Sequence, residues 1–425
     1  MQDSTHTGTT FIENFVSMGL IQVANLVFPL ITFPYLVRIL GIERYGLITF
    51  AQSYIQYFLI ITDYGFALSA ARDISVHKDN QDKRSHILSA VLYTKLLLAG
   101  CCFLFLVLTL ITVPRFHEAR LVYILSFGVV IGDILFPTWF FQAVERMKYV
   151  TALNISIKSF FLIMVFIFVR TSEDYIYVPL FNSLGYLCVG LISMYLLKHT
   201  FHVTLSFPNF SLIRQQLTAG SYIFVSMLSI NFCSTTNSFV LGFLVGNVAV
   251  GYYAGAEKII LAALALFYPL FQSTYPHIVR TMSENAREGL RKVRKLYFLT
   301  VPVSVTLFLV VFLFADRIVY LVLGSKYDAS ITVLRILSPL LLITTSSYVF
   351  ANMTMLPLKK DKHFLGVYAS GAVVNLVCLF VLLKVYVLGA PGAAICSLIT
   401  QVYTACLMYY LLRRSGIRIY PSWAS

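Results

Sequence analysis

Charge is scarce in this sequence: Asp, Glu, Lys and Arg make up 12% of 425 residues, while hydrophobic residues make up 59%. A water-soluble domain could not bury that much apolar surface, so a soluble enzyme or binding module is excluded. Chemistry-bearing motifs are missing as well. There is no GxxxxGK[ST] phosphate loop, so the chain itself is not expected to hydrolyse ATP. There is no HExxH or His/Asp cluster, and the seven cysteines (Cys101, Cys102, Cys188, Cys233, Cys378, Cys396, Cys406) lie in apolar runs without CxxC spacing. That pattern gives neither a disulfide framework nor a metal site, and no cofactor is expected. The first ten residues, MQDSTHTGTT, lack the Lys or Arg of a cleavable signal's basic start, so the first apolar segment is expected to stay.

What is present is a series of long, continuously apolar runs, such as LLLAGCCFLFLVLTLI at 96–111. They do not alternate every second residue, which excludes a β-barrel and leaves membrane-spanning helices of about 20 residues each. The sequence predicts an all-α polytopic membrane protein with twelve transmembrane helices. In the first half they are expected at 14–37, 46–67, 87–112, 120–141, 152–169 and 176–197. In the second half they fall at 219–245, 250–275, 297–314, 331–356, 364–384 and 389–412. The formal net charge of +14 sits in short clusters between these runs, not in a basic domain, so nucleic acid is not an expected partner and the bilayer is. Lys and Arg in the loops on the side of the termini outnumber those opposite by more than two to one, which places both termini in the cytoplasm.

The stretch RILGIERYGLITFAQS (38–53) returns as FLVGNVAVGYYAGAEK (243–258), with Gly41 and Gly46 matched by Gly246 and Gly251. A polar linker, 198–218, separates two halves of similar length. The expected organisation is an N-terminal six-helix lobe, 1–208, and a C-terminal one, 209–425, pseudo-symmetric about an axis along the membrane normal with a central cavity between them.

Polar stripes mark candidate lining. Gln22, Asn25, Pro29 and Thr32 align on the first span, Thr49, Gln52, Ser53, Gln56 and Asp63 on the second. The seventh carries Ser226, Ser229, Ser234, Thr235, Thr236, Asn237 and Ser238, and the eighth Glu257, Tyr268, Gln272 and Tyr275. Interhelical hydrogen bonding alone would leave similar stripes. Charges inside spans are costly, so Lys95, Asp133, Lys158, Glu257, Lys258 and Arg335, with Asp63 nearer a surface, each need a reason. Cations facing a cavity suit an anionic phosphate or diphosphate. Snorkelling to the interface is the competing account for Lys95 and Lys158. Prolines 29, 34, 137, 179, 269, 302 and 339 are expected to interrupt spans, and GxxxG pairs such as Gly128 with Gly132 to bring helices close.

NLVFPLITFPYLVRILGIERYGLITFAQSYIQYF, TDYGFALSAARDIS, WFFQAVERMKYVT, TNSFVLGFLVGNVAVGYYAGAEKII and FYPLFQSTYPHIVR together resemble the motifs of bacterial O-antigen and polysaccharide-unit flippases, up to about Arg280. These belong to a superfamily of multidrug, oligosaccharidyl-lipid and polysaccharide exporters. The resemblance implies a transporter that moves an undecaprenyl-diphosphate-linked oligosaccharide across a bacterial inner membrane, with other polysaccharide-assembly membrane proteins as candidate partners. On that reading Lys158, Lys258, Lys95, Arg72 and Arg280 would meet the diphosphate, and Gln52, Asn25 and Asn237 would line the path. Arg72 and Arg280 are equally ordinary positive-inside anchors. A cation-coupled small-molecule exporter is the nearest rival, with Asp63, Asp133 and Glu257 as coupling carboxylates. A membrane-embedded polymerase would need an exposed catalytic loop, and the predicted outer loops are short.

Overall fold

The computed structural model describes residues 3–77, 80–208 and 210–417. The side chains of Ser226, Ser229, Cys233 and Ser234, together with Lys78 and Arg418, lie outside the described residues. Helices dominate. Their order is α1 Asp3–Asp63, α2 Phe66–Val76, α3 Gln81–Thr112, α4 Arg120–Leu135, α5 Thr138–Ala143, α6 Met147–Phe168, α7 Tyr177–His199 and α8 Phe210–Leu244. There follow α9 Asn247–Ala265, α10 Tyr268–Glu284, α11 Ala286–Leu313, α12 Ala315–Val322, α13 Ala329–Leu337, α14 Leu340–Phe350, α15 Asp361–Phe380 and α16 Gly389–Arg414. Among the described residues ten helical stretches are long and apolar enough to cross a membrane. The first of these holds both arms of α1, and α8 adds 35 residues, which is consistent with twelve crossings.

Several expected spans are divided. The second ends at Asp63, where Tyr64 and Gly65 take positive φ values of 45° and 80° before α2 begins. The fourth breaks at Phe136–Pro137, where the residue before the proline leaves the helical region, and the tenth at Ser338–Pro339, where both residues keep helical φ/ψ but the ring removes a donor from the hydrogen-bond ladder. The eighth breaks at Leu266–Phe267, ahead of Pro269, so Glu257 stands on α9 while Tyr268, Gln272 and Tyr275 stand exposed on α10. The helix runs on through Pro29, Pro34 and Pro302, where interruption was expected. The linker is also shorter than expected, since α8 begins at Phe210.

Two compact units emerge. Unit 1 comprises 1–40 and 51–228, and unit 2 comprises 41–50 and 229–425. In unit 1, α4 packs closely against α7. A Cβ at Gly128 would meet Ser183 Cβ at 2.7 Å, and one at Gly132 the Tyr186 backbone carbon at 2.5 Å, so small residues let these backbones approach as the GxxxG pattern predicts. The aromatics of WFFQAVERMKYVT serve packing: Phe140, Phe141 and Tyr149 each lie 5.5–5.7 Å from the Phe201 ring, edge-on, and so hold the start of the linker.

Beyond Phe201 the linker lies along α3. Ser85 Oγ accepts from Thr204 N at 3.2 Å and Ser89 Oγ from Ser206 N at 3.1 Å. Four residues of helix advance about 6 Å and two residues of extended chain nearly 7 Å, so an i, i+4 serine pair can satisfy an i, i+2 backbone pair. Gln81 Nε2 adds a bond to His202 O at 2.7 Å. Replacing both serines with alanine is expected to cost about 2 kcal/mol, one typical hydrogen bond each, and to speed proteolysis at 202–208 while leaving the helices folded. Limited proteolysis with thermal unfolding checks this.

Unit 2 contains the contact between the repeated turns. Gly41 (φ 73°, ψ −179°) and Gly246 (φ 131°, ψ 174°) share an extended, positive-φ conformation open essentially to glycine alone. The second glycine of each copy is a contact surface. Cβ atoms placed at Gly46 and Gly251 would fall on the carbonyl oxygens of Asn247 and Ile42, respectively. The repeat therefore marks two turns that pack against each other.

Candidate functional site

Two groups of polar residues sit among the spans of unit 1. The first is a charge cluster. Lys95 Nζ lies 2.9 Å from Asp63 Oδ1, and its side chain is only 4% exposed, so it is paired inside the protein and does not snorkel. Asp133, on α4, is within electrostatic range of both Lys95 and Asp63. Asp63 reaches this position because α1 ends there, while Lys95 projects from mid-α3, where Thr94 bonds its own helix at Ala90 O, 2.6 Å away. Two carboxylates share one ammonium, so a proton or a second cation is needed before the cluster is neutral.

The second group surrounds a cavity of about 180 Å³ lined by Pro29 and Thr32 from α1, Asn154 and Lys158 from α6, and Asn182 and Tyr186 from α7. Lys158 is half-buried and has no hydrogen-bond or ion-pair partner among the described residues. Thr32 and Asn154 are partly committed to backbone carbonyls, at 2.8 Å to Phe28 O and 3.1 Å to Val150 O. Pro29, inside α1, has no N–H to offer the Asn25 carbonyl one turn earlier. Tyr186 links the groups, since it is also within electrostatic range of Asp133. A cavity with a free ammonium and several amide and hydroxyl groups can bind an anion together with polar hydroxyls.

Unit 2 holds a buried hydrogen-bond chain. Asn375 Nδ2 donates to Asn237 Oδ1 at 3.0 Å, and Asn237 Nδ2 to Ser397 Oγ at 2.6 Å. Ser397 Oγ lies 2.9 Å from the Tyr253 hydroxyl, which donates to Glu257 Oε1 at 3.0 Å. Thr400 and Cys396 flank Asn375, while Asn375 Oδ1 is buried and has no hydrogen-bond partner among the described residues. The chain ties α15, α8, α16 and α9 together and ends on a carboxylate.

The remaining expected site residues lie outside these groups. Asn25, Gln52, Arg72 and Lys258 are exposed, and Arg280, also exposed, pairs with Glu284 at 3.2 Å. Ser53 is buried and Glu257 largely covered, each less exposed than its neighbour Gln52 or Lys258. Neighbours on a helix are turned about 100° apart. Asn375, Ser397 and Thr400 lie outside the four polar-striped segments and carry no sequence motif. An asparagine isolated in the apolar run GAVVNLVCLF was the available signal.

The family model described as "Polysaccharide biosynthesis protein" matches residues 11–282. The chain belongs to this family. It is 30% identical over 410 residues to a putative O-antigen transporter of Escherichia coli (strain K12), covering 96% of this chain and 98% of that protein. A putative O-antigen transporter of Shigella dysenteriae is 28% identical over 398 residues, covering 93% and 98%. Two solved structures share the fold. One is an inward-facing MATE multidrug resistance transporter of the MOP superfamily, at 14% identity and TM-score 0.73, covering 95% of this chain and 98% of that one. The other is the lipid II flippase MurJ in an inward closed conformation, at 12% identity and TM-score 0.75, covering 95% and 87%. This member of the polysaccharide biosynthesis protein family is thus a multi-pass membrane protein with the fold of those transporters. The matched region includes Asp63, Lys95, Asp133, Lys158, Asn237 and Glu257 and stops short of Asn375, Ser397 and Thr400.

Proposed function

We propose that the protein moves undecaprenyl-diphosphate-linked O-antigen or related polysaccharide repeat units from the cytoplasmic to the periplasmic leaflet of a bacterial inner membrane, by alternating access and with both termini in the cytoplasm. One observation carries this reading: 30% identity sustained over 96% of the chain to a putative O-antigen transporter. The expected organisation into lobes 1–208 and 209–425 fits such a cycle.

The site chemistry agrees with an anionic, hydroxyl-rich cargo. Lys158 is the cation best placed for it, because Lys95 is already held by Asp63. Lys258 and Arg72, exposed, are secondary candidates, with Arg280 partly held by Glu284. Lys158→Ala is expected to lower transport about tenfold or more, the worth of a charge-assisted hydrogen bond, and Lys158→Arg to retain most of it. The test is surface glycan display in a deletion strain complemented with each variant.

The rival reading, a cation-coupled exporter of small molecules, draws on the Asp63–Lys95–Asp133 cluster, whose second carboxylate is free to take a proton or cation. Deletion separates the two. Lost glycan display with unchanged drug tolerance supports the flippase, and the opposite result supports the exporter.

A further inference from the structure

A groove of about 330 Å³ opens between α10 and α11 in unit 2, and none of the residues discussed above as a transport site lines it. Its floor is apolar, made by Leu270 and Ile278 from α10 and Leu296 and Leu299 from α11. Its rim is basic, with His277, Lys292 and Lys295. Lys292 Nζ is positioned by His277 Nε2 at 2.9 Å and Thr281 Oγ1 at 2.8 Å, with Glu288 farther off at 3.9 Å. Lys295 is exposed and has no partner among the described residues.

The placement along α11 matters. Arg287, Arg291, Lys292, Arg294 and Lys295 fill its first turns, and from Leu296 to Leu313 the helix is apolar except for Thr300, Ser304 and Thr306. Phe298, Leu299 and Val303 are exposed on that apolar part. Lys292 and Lys295 therefore stand where a basic end meets a membrane-spanning segment, the level at which lipid head groups lie. A phosphate at this level would meet two ammonium groups, one already aimed, while an acyl chain would follow Leu296 and Leu299 downward. A basic pocket between membrane helices attracts anionic lipid in just this way.

We propose that the α10–α11 groove binds an anionic phosphoglyceride of the surrounding leaflet, head group on Lys292 and Lys295 and one acyl chain on Leu270, Ile278, Leu296 and Leu299. The proposal does not rest on the identity of the transported cargo. Charge complementarity selects the occupant: a zwitterionic lipid brings its own cation to the basic rim and gains less.

The full-length protein in detergent is titrated with phosphatidylglycerol and, separately, phosphatidylcholine, with binding read by native mass spectrometry and thermal shift. Phosphatidylglycerol is expected to bind about tenfold tighter and to raise the melting temperature, with the advantage shrinking as salt rises. Lys292→Ala/Lys295→Ala should erase the preference, and Lys292→Arg/Lys295→Arg should keep it. Lys295→Glu, at an exposed and unpartnered position, serves if the double variant folds poorly, and should also weaken the preference. Equal binding of the two lipids, or a preference that survives both Lys295→Glu and the double alanine variant, overturns the proposal. So does displacement of phosphatidylglycerol by one equivalent of polyprenyl diphosphate, which would make the groove a cargo site.

Discussion

Gly251→Val is expected to lower the melting temperature sharply and to reduce the yield of folded protein, and Gly46→Val to do the same. At both positions a new Cβ lands on a carbonyl oxygen of the facing turn, Ile42 O for Gly251 and Asn247 O for Gly46. Backbone cannot swing aside as a flexible side chain can, so the turns must part. The steric cost is about 1–3 kcal/mol for a modest overpacking and rises with side-chain size. Because both substitutions strain one contact, their effects should fall short of additivity in a double-mutant cycle. Gly366→Ala is the control: no atom lies within 4 Å of its added Cβ, it sits inside helix α15, and alanine there should be neutral or stabilising by about 0.5–1 kcal/mol. Thermal unfolding in detergent reads all three. A Gly251→Val protein as stable as wild type would mean that the two turns do not touch.

Lys95→Met should have the second large effect. It removes the ammonium that lies 2.9 Å from Asp63 and leaves the charges of Asp63 and Asp133 without that compensation. Breaking a fully buried pair by removing one partner costs about 3–5 kcal/mol; here Asp63 is 41% exposed and solvent screens it, so the cost is expected to be smaller, about 1–3 kcal/mol. Lys95→Met is therefore expected to be less stable and to lose transport, and Lys95→Met/Asp63→Asn to recover part of the stability, because Asp63 is then neutral while Asp133 still lacks its cation. The double variant should stay deficient in transport if the cluster takes part in the transport cycle. Full transport by the double variant would reduce the cluster to a structural role. Melting temperature and glycan display, measured on the same proteins, separate these outcomes.

These two predictions also show how far the residues could be read beforehand. The glycine pairs stood out as a repeat in the chain, and their shared backbone conformation at Gly41 and Gly246 follows from glycine's freedom at positive φ. That Gly46 and Gly251 meet each other was not legible, since a repeat says that two segments are alike and not that they touch. Lys95 and Asp63 were each conspicuous as charges in apolar surroundings. Their pairing across 32 residues depends on where α1 ends and how α3 is rotated. Helix breaks followed proline where the residue before it could leave the helix, as at Phe136, and failed to follow it at Pro29 and Pro34. There only one hydrogen bond is lost, and the neighbouring turns hold. Asn375 and Ser397 entered the buried chain in unit 2 from apolar sequence with no motif, because a single buried amide needs only partners and no spacing.

The central claim, translocation of a lipid-linked glycan with Lys158 as the cation that meets it, is tested most directly in proteoliposomes. Purified protein is reconstituted with a fluorescent undecaprenyl-diphosphate oligosaccharide, and its appearance in the opposite leaflet is followed for wild type, Lys158→Ala and Lys158→Arg. The account predicts protein-dependent flipping that falls about tenfold or more in Lys158→Ala and largely survives in Lys158→Arg. Flipping no faster than in empty liposomes contradicts the transport claim, and equal flipping by wild type and Lys158→Ala contradicts the assignment of Lys158.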